Sequence, residues 1–148
     1  MEVARAIRGI PDLHVVTNSI GVAGELADQG IEVTVTGGSL RRSLELSGPL
    51  TEQAMRDLHV HTAYIGVDGL SLHHGLTTYN LIEARTNRAV IEHAERVVVV
   101  ADHTKIGKVT TALIAPCQVV STLVTDVGAP EECLDQFRAA GIDVLLAL

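Results

Sequence analysis

The chain has 148 residues, 47% of them hydrophobic and 20% charged, and carries a net charge of −7. That much apolar material builds a packed core, which excludes a disordered chain. Aromatics make up only 2% (Tyr64, Tyr79, Phe137), and nine arginines and two lysines lie scattered, so the chain has neither stacking platforms nor a basic stripe for nucleic acid.

Met1–Ile10 reads as the tail of an amphipathic helix running into a first strand at Leu13–Thr17. Ser19 then caps a helix over Ile20–Gln29 that stops at Gly30. The second strand, Ile31–Thr36, alternates strictly, which points to a half-exposed position near a sheet edge. A short helix over Thr51–Leu58 follows Gly48-Pro49, and a third strand lies at Ala63–Val67. Asn80-Leu81-Ile82-Glu83 reads as a capping box that opens a long helix to about Glu95. The fourth strand, Arg96–Ala101, contains Val97-Val98-Val99-Val100; with no polar alternation, both of its faces should be covered, as in the centre of a parallel sheet. A fifth strand is expected at Val119–Thr125. The last helix has Pro130 at its first position and Gly141 after its end, and a sixth strand follows at Ile142–Leu146.

Strands alternating with helices predict an α/β, Rossmann-like fold with a mostly parallel sheet of about six strands and helices on both faces. With no repeat, low-complexity tract or linker, 1–148 reads as a single domain. Cys117 and Cys133 lack a metal-type spacing, and no apolar run approaches the ~20 residues of a membrane span. A cytoplasmic protein without a signal peptide or membrane contact is expected. Because the first strand has no strand before it, the chain reads as beginning mid-fold, with an exposed sheet edge prone to self-association.

In open α/β sheets ligands sit where strands end, so the chemistry is sought there. Val16-Thr17-Asn18-Ser19 feeds a helix N-terminus, where free N–H groups favour an anion. Thr36-Gly37-Gly38-Ser39 allows close backbone approach. Gly66-Val67-Asp68-Gly69 and Ala101-Asp102-His103-Thr104-Lys105 supply a carboxylate and a cation. Together these ends suggest a pocket for a small, hydroxylated, phosphorylated molecule. Each also has a plain reading: Asn18 and Ser19 as helix caps, Gly37-Gly38 as a turn, Lys105 as a loop lysine paired with Asp102. Asp68 suits either a general base or a hydrogen-bond acceptor for a sugar hydroxyl. Arg41-Arg42 suits a solvated pair or a steering charge for an anion. His59-Val60-His61 and His73-His74 lack a third ligand, so no metal site is expected. Gly-x-x-x-x-Gly-Lys, Gly-x-Gly-x-x-Gly and Gly-x-Ser-x-Gly do not occur, which leaves nucleotide hydrolysis, dinucleotide redox chemistry and a serine elbow unsupported.

Val15-Val16-Thr17-Asn18-Ser19, Val35-Thr36-Gly37-Gly38-Ser39-Leu40-Arg41, Gly48-Pro49-Leu50, Ile65-Gly66-Val67-Asp68-Gly69, Gly75-Leu76-Thr77-Thr78, Ala101-Asp102-His103-Thr104-Lys105-Ile106-Gly107 and Val124-Thr125-Asp126 occur in this order. Through them the sequence resembles the C-terminal effector-sensing domain of DeoR-type bacterial transcriptional regulators. That family resembles ribose-5-phosphate isomerase and glucosamine-6-phosphate deaminase in fold. The resemblance implies a non-enzymatic sensor that binds a phosphorylated sugar or polyol through Thr17, Asn18, Ser19, Gly37, Gly38, Asp68, Gly69 and Lys105. It implies no cofactor, a homo-oligomeric repressor of sugar metabolism, and DNA contact only through a winged helix-turn-helix that this sequence lacks. The family's first strand and its Asp-x-Gly-Thr-Thr loop are also missing, and His103-Thr104 stands where the family more often has Ser-Ser. The alternative is a sugar-phosphate isomerase or deaminase of the same fold. The isomerase pattern has an acid three residues after the first Asp, where this chain has Ser71.

Overall fold

The computed structural model describes residues 1–147, which group into two compact units, Met1–Leu58 and His59–Leu148.

The first unit opens with a short helix α1 (Glu2–Ala6) and a parallel strand pair, β1 (His14–Thr17) and β2 (Glu32–Val35), in the register Val15↔Val33. Helix α2 (Ile20–Ala27) connects the pair and buries Leu26 completely. It begins where the sequence places it, because Ser19 Oγ accepts the Val22 N–H at 3.3 Å. Strand β2 is largely exposed, as its alternation predicts. A hairpin of β3 (Ser39–Leu40) and β4 (Leu46–Ser47) comes next. The last helix of this unit, α3, covers Pro49–Arg56 rather than Thr51–Leu58. Its start moves upstream because Pro49 carries the φ of a helix's first residue and has no N–H to leave unpaired.

The second unit is built on a four-stranded, all-parallel sheet in the order β11-β10-β8-β5, with β5 at Val60–Gly66, β8 at Ala94–Val100, β10 at Thr122–Asp126 and β11 at Asp143–Ala147. Strand β8, with its run of four valines, lies inside this sheet, and Val97, Val98 and Val99 are buried. Ile65, Leu123, Leu134, Phe137 and Ile142 join the same core. Helix α4 (Leu81–Glu92) is capped by Asn80, whose Oδ1 accepts the Ile82 N–H at 2.8 Å, and α5 covers Glu131–Ala139. A second, antiparallel sheet in the order β6-β7-β9 consists of Gly69–Ser71, Gly75–Thr78 and Ala112–Ala115. Its outer strand β9 is covered by Arg88 of α4, which donates to the Ile114 and Leu113 carbonyls at 2.9 and 2.8 Å.

The fold is α/β with a mostly parallel central sheet, as the sequence predicts. Several boundaries move, among them the starts of the third and fourth predicted strands, found at Val60 and Ala94 rather than Ala63 and Arg96. Helix α4 ends at Glu92 rather than about Glu95, because Ala94 already pairs with Val60 and the ladder takes Glu95 into β8. The fifth predicted strand begins at Thr122 instead of Val119: after Pro116, Cys117–Val119 closes a 3₁₀ turn with the Val120 N–H on Cys117 O at 3.0 Å. Pro130 is the cap residue of α5, one position ahead of its expected place.

Leu123 on β10 is fully buried, whereas Leu145 on β11 is 56% exposed. Urea denaturation should therefore show Leu123→Ala costing about 2–5 kcal/mol, with Leu145→Ala within about 0.5 kcal/mol of the parent. Equal losses would mean that β10 is not the centre of this core.

Candidate functional site

The eight candidate residues divide between the units, Thr17, Asn18, Ser19, Gly37 and Gly38 in the first and Asp68, Gly69 and Lys105 in the second. In the first unit they follow the carboxyl ends of β1 and β2, joined by the Thr36 N–H on Thr17 O at 3.0 Å. Their side chains are largely committed to local structure. Thr17 Oγ1 accepts the Ser19 N–H at 3.1 Å, and Ser19 Oγ caps α2. Asn18 Nδ2 donates to Leu46 O at 2.9 Å while Leu46 N donates to Asn18 O at 2.7 Å, which ties the end of β1 to the hairpin. Gly37 O accepts from Thr51 Oγ1. Gly38 has φ +140°, and a Cβ there would stand 2.9 Å from Ser47 O, so the tight packing of β4 on this loop requires glycine. The capping role weighed for Ser19 and the turn role weighed for Gly37-Gly38 are real, whereas Asn18, read as a cap, instead tethers the hairpin because its amide reaches Leu46 O. A cleft of about 610 Å³ in this unit lies at the opposite, amino ends of β1 and β2, lined by residues 9–14 and 29–32, and contains none of the candidates.

In the second unit the parallel register aligns Gly66 with Val100 and Val100 with Val124, so the chain leaves β5, β8 and β10 at one edge. Asp68 stands just past β5. Its Oδ2 accepts from Thr78 Oγ1 at 2.8 Å and from the Tyr79 N–H at 3.3 Å, and its own N–H donates to Thr77 O at 3.0 Å. Gly69 fits because a Cβ would come within 2.7 Å of Thr77 Oγ1 and 2.9 Å of the Lys108 carbonyl carbon. Lys105 ends a 3₁₀ turn, His103–Lys105, that follows β8, and its Nζ is 4.0 Å from Asp68 Oδ1. That separation is an ion pair longer than a hydrogen bond, and it corrects the pairing with Asp102 considered from the sequence. Asp102 instead caps the turn, accepting from both the N–H and the hydroxyl of Thr104.

Two further residues at this edge were not singled out from the sequence. Asp126, at the end of β10, accepts the His103 N–H on Oδ2 at 2.8 Å and the Gly128 N–H on Oδ1 at 2.8 Å. The same Oδ1 lies 2.8 Å from His103 Nδ1. Lys108 Nζ lies 5.4 Å from the centre of the Tyr79 ring, placing the second of the chain's two lysines near the same loop. Position could have flagged Asp126, since it directly follows the predicted strand Val119–Thr125.

Other candidates have local roles. Arg41 Nε donates to Ser47 Oγ at 2.8 Å within the β3–β4 hairpin. Ser71 accepts the His74 N–H at 3.3 Å. Among the described residues no group of three or more His, Cys, Asp or Glu could hold a metal ion, and no helix is long and apolar enough to cross a membrane.

Backbone donors shape the electrostatics. The N–H groups of His103 and Gly128 hold the Asp126 carboxyl below its ordinary value, and the Thr104 hydroxyl and N–H do the same for Asp102. A hydrogen bond with Tyr79 holds the Lys108 ammonium above its ordinary value. Burial raises the Cys117 thiol, so that cysteine behaves as core rather than nucleophile. The edge thus presents cations beside carboxylates that already serve as acceptors for protein donors.

Comparison with known proteins agrees with the resemblance. A family model described as the DeoR C terminal sensor domain matches residues 1–127. A protein of Escherichia coli O157:H7 named as an aga operon transcriptional repressor is 37% identical over 98% of this chain and 55% of its own length. The HTH-type transcriptional regulator GlpR of Haloferax volcanii is 34% identical over 98% of this chain and 57% of its own. The HTH-type transcriptional repressor GlcR of Bacillus subtilis is 32% identical over 91% and 53%. The chain spans about half the length of the curated relatives it matches.

Because the folded-state value of Asp126 is lowered, its contribution is present above the unfolded value near 3.9 and is lost as pH falls through the folded one. Below about pH 5 the amide signals of His103 and Gly128 should therefore move together as the carboxylate is protonated. Asp126→Asn should displace both at neutral pH. Signals unchanged by that substitution would show that the carboxylate does not hold the turn.

Proposed function

The chain belongs to the family of DeoR C-terminal sensor domains, and from that premise we propose that it binds a phosphorylated sugar or polyol and relays occupancy to a DNA-binding helix-turn-helix of a longer repressor. The observation that carries the reading is Lys105. Its ammonium stands at the carboxyl edge of a parallel sheet, 4.0 Å from Asp68 and beyond hydrogen-bonding range of it. A phosphate oxygen can bind there as a hydrogen-bonded counter-charge. Asp68, with Oδ2 anchored by Thr78 and Tyr79, is suited to receive a ligand hydroxyl on Oδ1. Gly69 keeps the backbone close at this edge, and Thr17, Asn18, Ser19, Gly37 and Gly38 are ligand-binding candidates at the strand ends of their own unit. The reading is of binding without turnover, in a cytoplasmic homo-oligomer of the kind usual for soluble regulators. The match to proteins named as transcriptional regulators favours it over an isomerase or deaminase of the same fold.

Calorimetry and thermal unfolding with a panel of sugar and polyol phosphates, and their unphosphorylated forms, test it. A phosphorylated member at about one hundred times its Kd should stabilise the chain by about 2.7 kcal/mol. Lys105→Ala should weaken that ligand at least about tenfold, a lost charge-assisted hydrogen bond. No response to any phosphorylated compound, or turnover abolished by Asp68→Asn, would overturn the reading.

A further inference from the structure

His103 is a residue by which this sequence departs from the resembled family, and it stands in the same turn as Lys105. Its imidazole is held from one side only. Nδ1 lies 2.8 Å from Asp126 Oδ1, the other Asp126 oxygen binds the His103 N–H, and Gly128 permits the contact because a Cβ there would stand 2.7 Å from Nδ1. Nε2 has no partner among the described residues, and the side chain is 48% exposed. An ionised carboxylate only accepts, so Asp126 fixes the ring proton on Nδ1 and leaves Nε2 as the outward-facing atom.

We propose that His103, positioned by Asp126, is a specificity-determining ligand contact beside Lys105: its neutral Nε2 accepts a hydroxyl proton from the effector, and its protonated Nε2–H donates to an anionic oxygen. The inference rests on the binding reading above and adds to it that the effector carries a hydroxyl close to its anionic group. A bare Nε2 lone pair repels an anion without a proton to offer, so the neutral ring favours hydroxylated anions over simple ones. On protonation that preference relaxes, because Nε2 becomes a donor like Lys105 Nζ. The charged groups around the ring are Asp126 at the end of β10 and, on its own turn, Asp102 and Lys105. Asp102 is committed to Thr104 and Lys105 pairs with Asp68, so the outward Nε2 of the imidazole is the atom of this turn left to meet a ligand.

Two measurements on the full chain test this. Nitrogen NMR of the imidazoles at about pH 8 should show His103 with its proton on Nδ1, and Asp126→Asn should remove that preference. A His103 proton on Nε2 in the parent overturns the inference. The second measurement titrates sulfate, which stays a dianion throughout, at about pH 8 and about pH 5.5, on either side of the ordinary imidazole value. Sulfate should bind about tenfold more tightly at the lower pH, the scale of one added charge-assisted hydrogen bond. His103→Gln should flatten that gain, and Lys105→Ala should weaken binding at both pH values. A pH gain that survives His103→Gln, with binding still dependent on Lys105, sinks the role of His103 and leaves the proposed site standing. Sulfate binding that is absent, or indifferent to Lys105→Ala, overturns the site and this inference together.

Discussion

The second unit depends on the burial of β8. Val97, Val98 and Val99 carry no side-chain polar atom, so every hydrogen-bonding group of this buried stretch is on its backbone and must find its partner in the ladder. Parallel pairing with β5 on one side and β10 on the other provides those partners. Parallel pairing also fixes where polar residues can appear. Gly66, Val100 and Val124 align in register, so Asp68 and Asp102, which follow β5 and β8, emerge at one edge with Asp126, the last residue of β10. The apolar centre and the charged rim are consequences of the same register.

Gathering carboxylates at one edge of a chain with net charge −7 is a poor start for attracting an anion. The local hydrogen bonds resolve this. Asp126 receives two backbone N–H groups and an imidazole, Asp102 receives the Thr104 hydroxyl and N–H, and Asp68 receives Thr78 and Tyr79. Each carboxylate meets oriented protein dipoles at hydrogen-bond distance, while Lys105 stands 4.0 Å from its nearest acid. Beyond about 10 Å the remaining surface charge is screened at ordinary salt, so the local balance at the rim outweighs the net charge of the chain.

Much of this was legible in the sequence for one reason: β1, β5 and β10 end on Thr17, Gly66 and Asp126, and the valine run of β8 is followed within two residues by Asp102. Val97-Val98-Val99-Val100 announced a buried central strand, and Asp68, Asp102 and Lys105 followed from where the runs ended. The antiparallel sheet was not legible, because Gly69–Ser71 is three residues long and Gly75–Thr78 is a glycine–threonine stretch without alternation. Its strands exist because their neighbours pair with them. The partners of the charged residues were hidden for a related reason. Thr78 lies 10 positions from Asp68, and His103 lies 23 from Asp126, separations that only the closed sheet makes adjacent. Sequence spacing therefore identified which groups reach the edge, and the fold decided which of them are free.

The position of Asp68 gives the edge a direct connection to the rest of the unit. Its Oδ2 holds Thr78 and the N–H of Tyr79, and the next residue, Asn80, caps α4 through the N–H groups of Ile82 and Glu83. Further along the same helix, Arg88 ties to the β9 carbonyls. On the proposed reading, a ligand hydroxyl bound on Oδ1 shares the carboxylate whose Oδ2 holds the residue that precedes the cap. Such sharing biases α4 only to the extent that the ligand prefers one arrangement of Tyr79 over another, since equal affinity for both moves nothing. The carboxylate of Asp68, rather than the lysine proposed to supply attraction, is thus where binding would be converted into a preference for one helix arrangement.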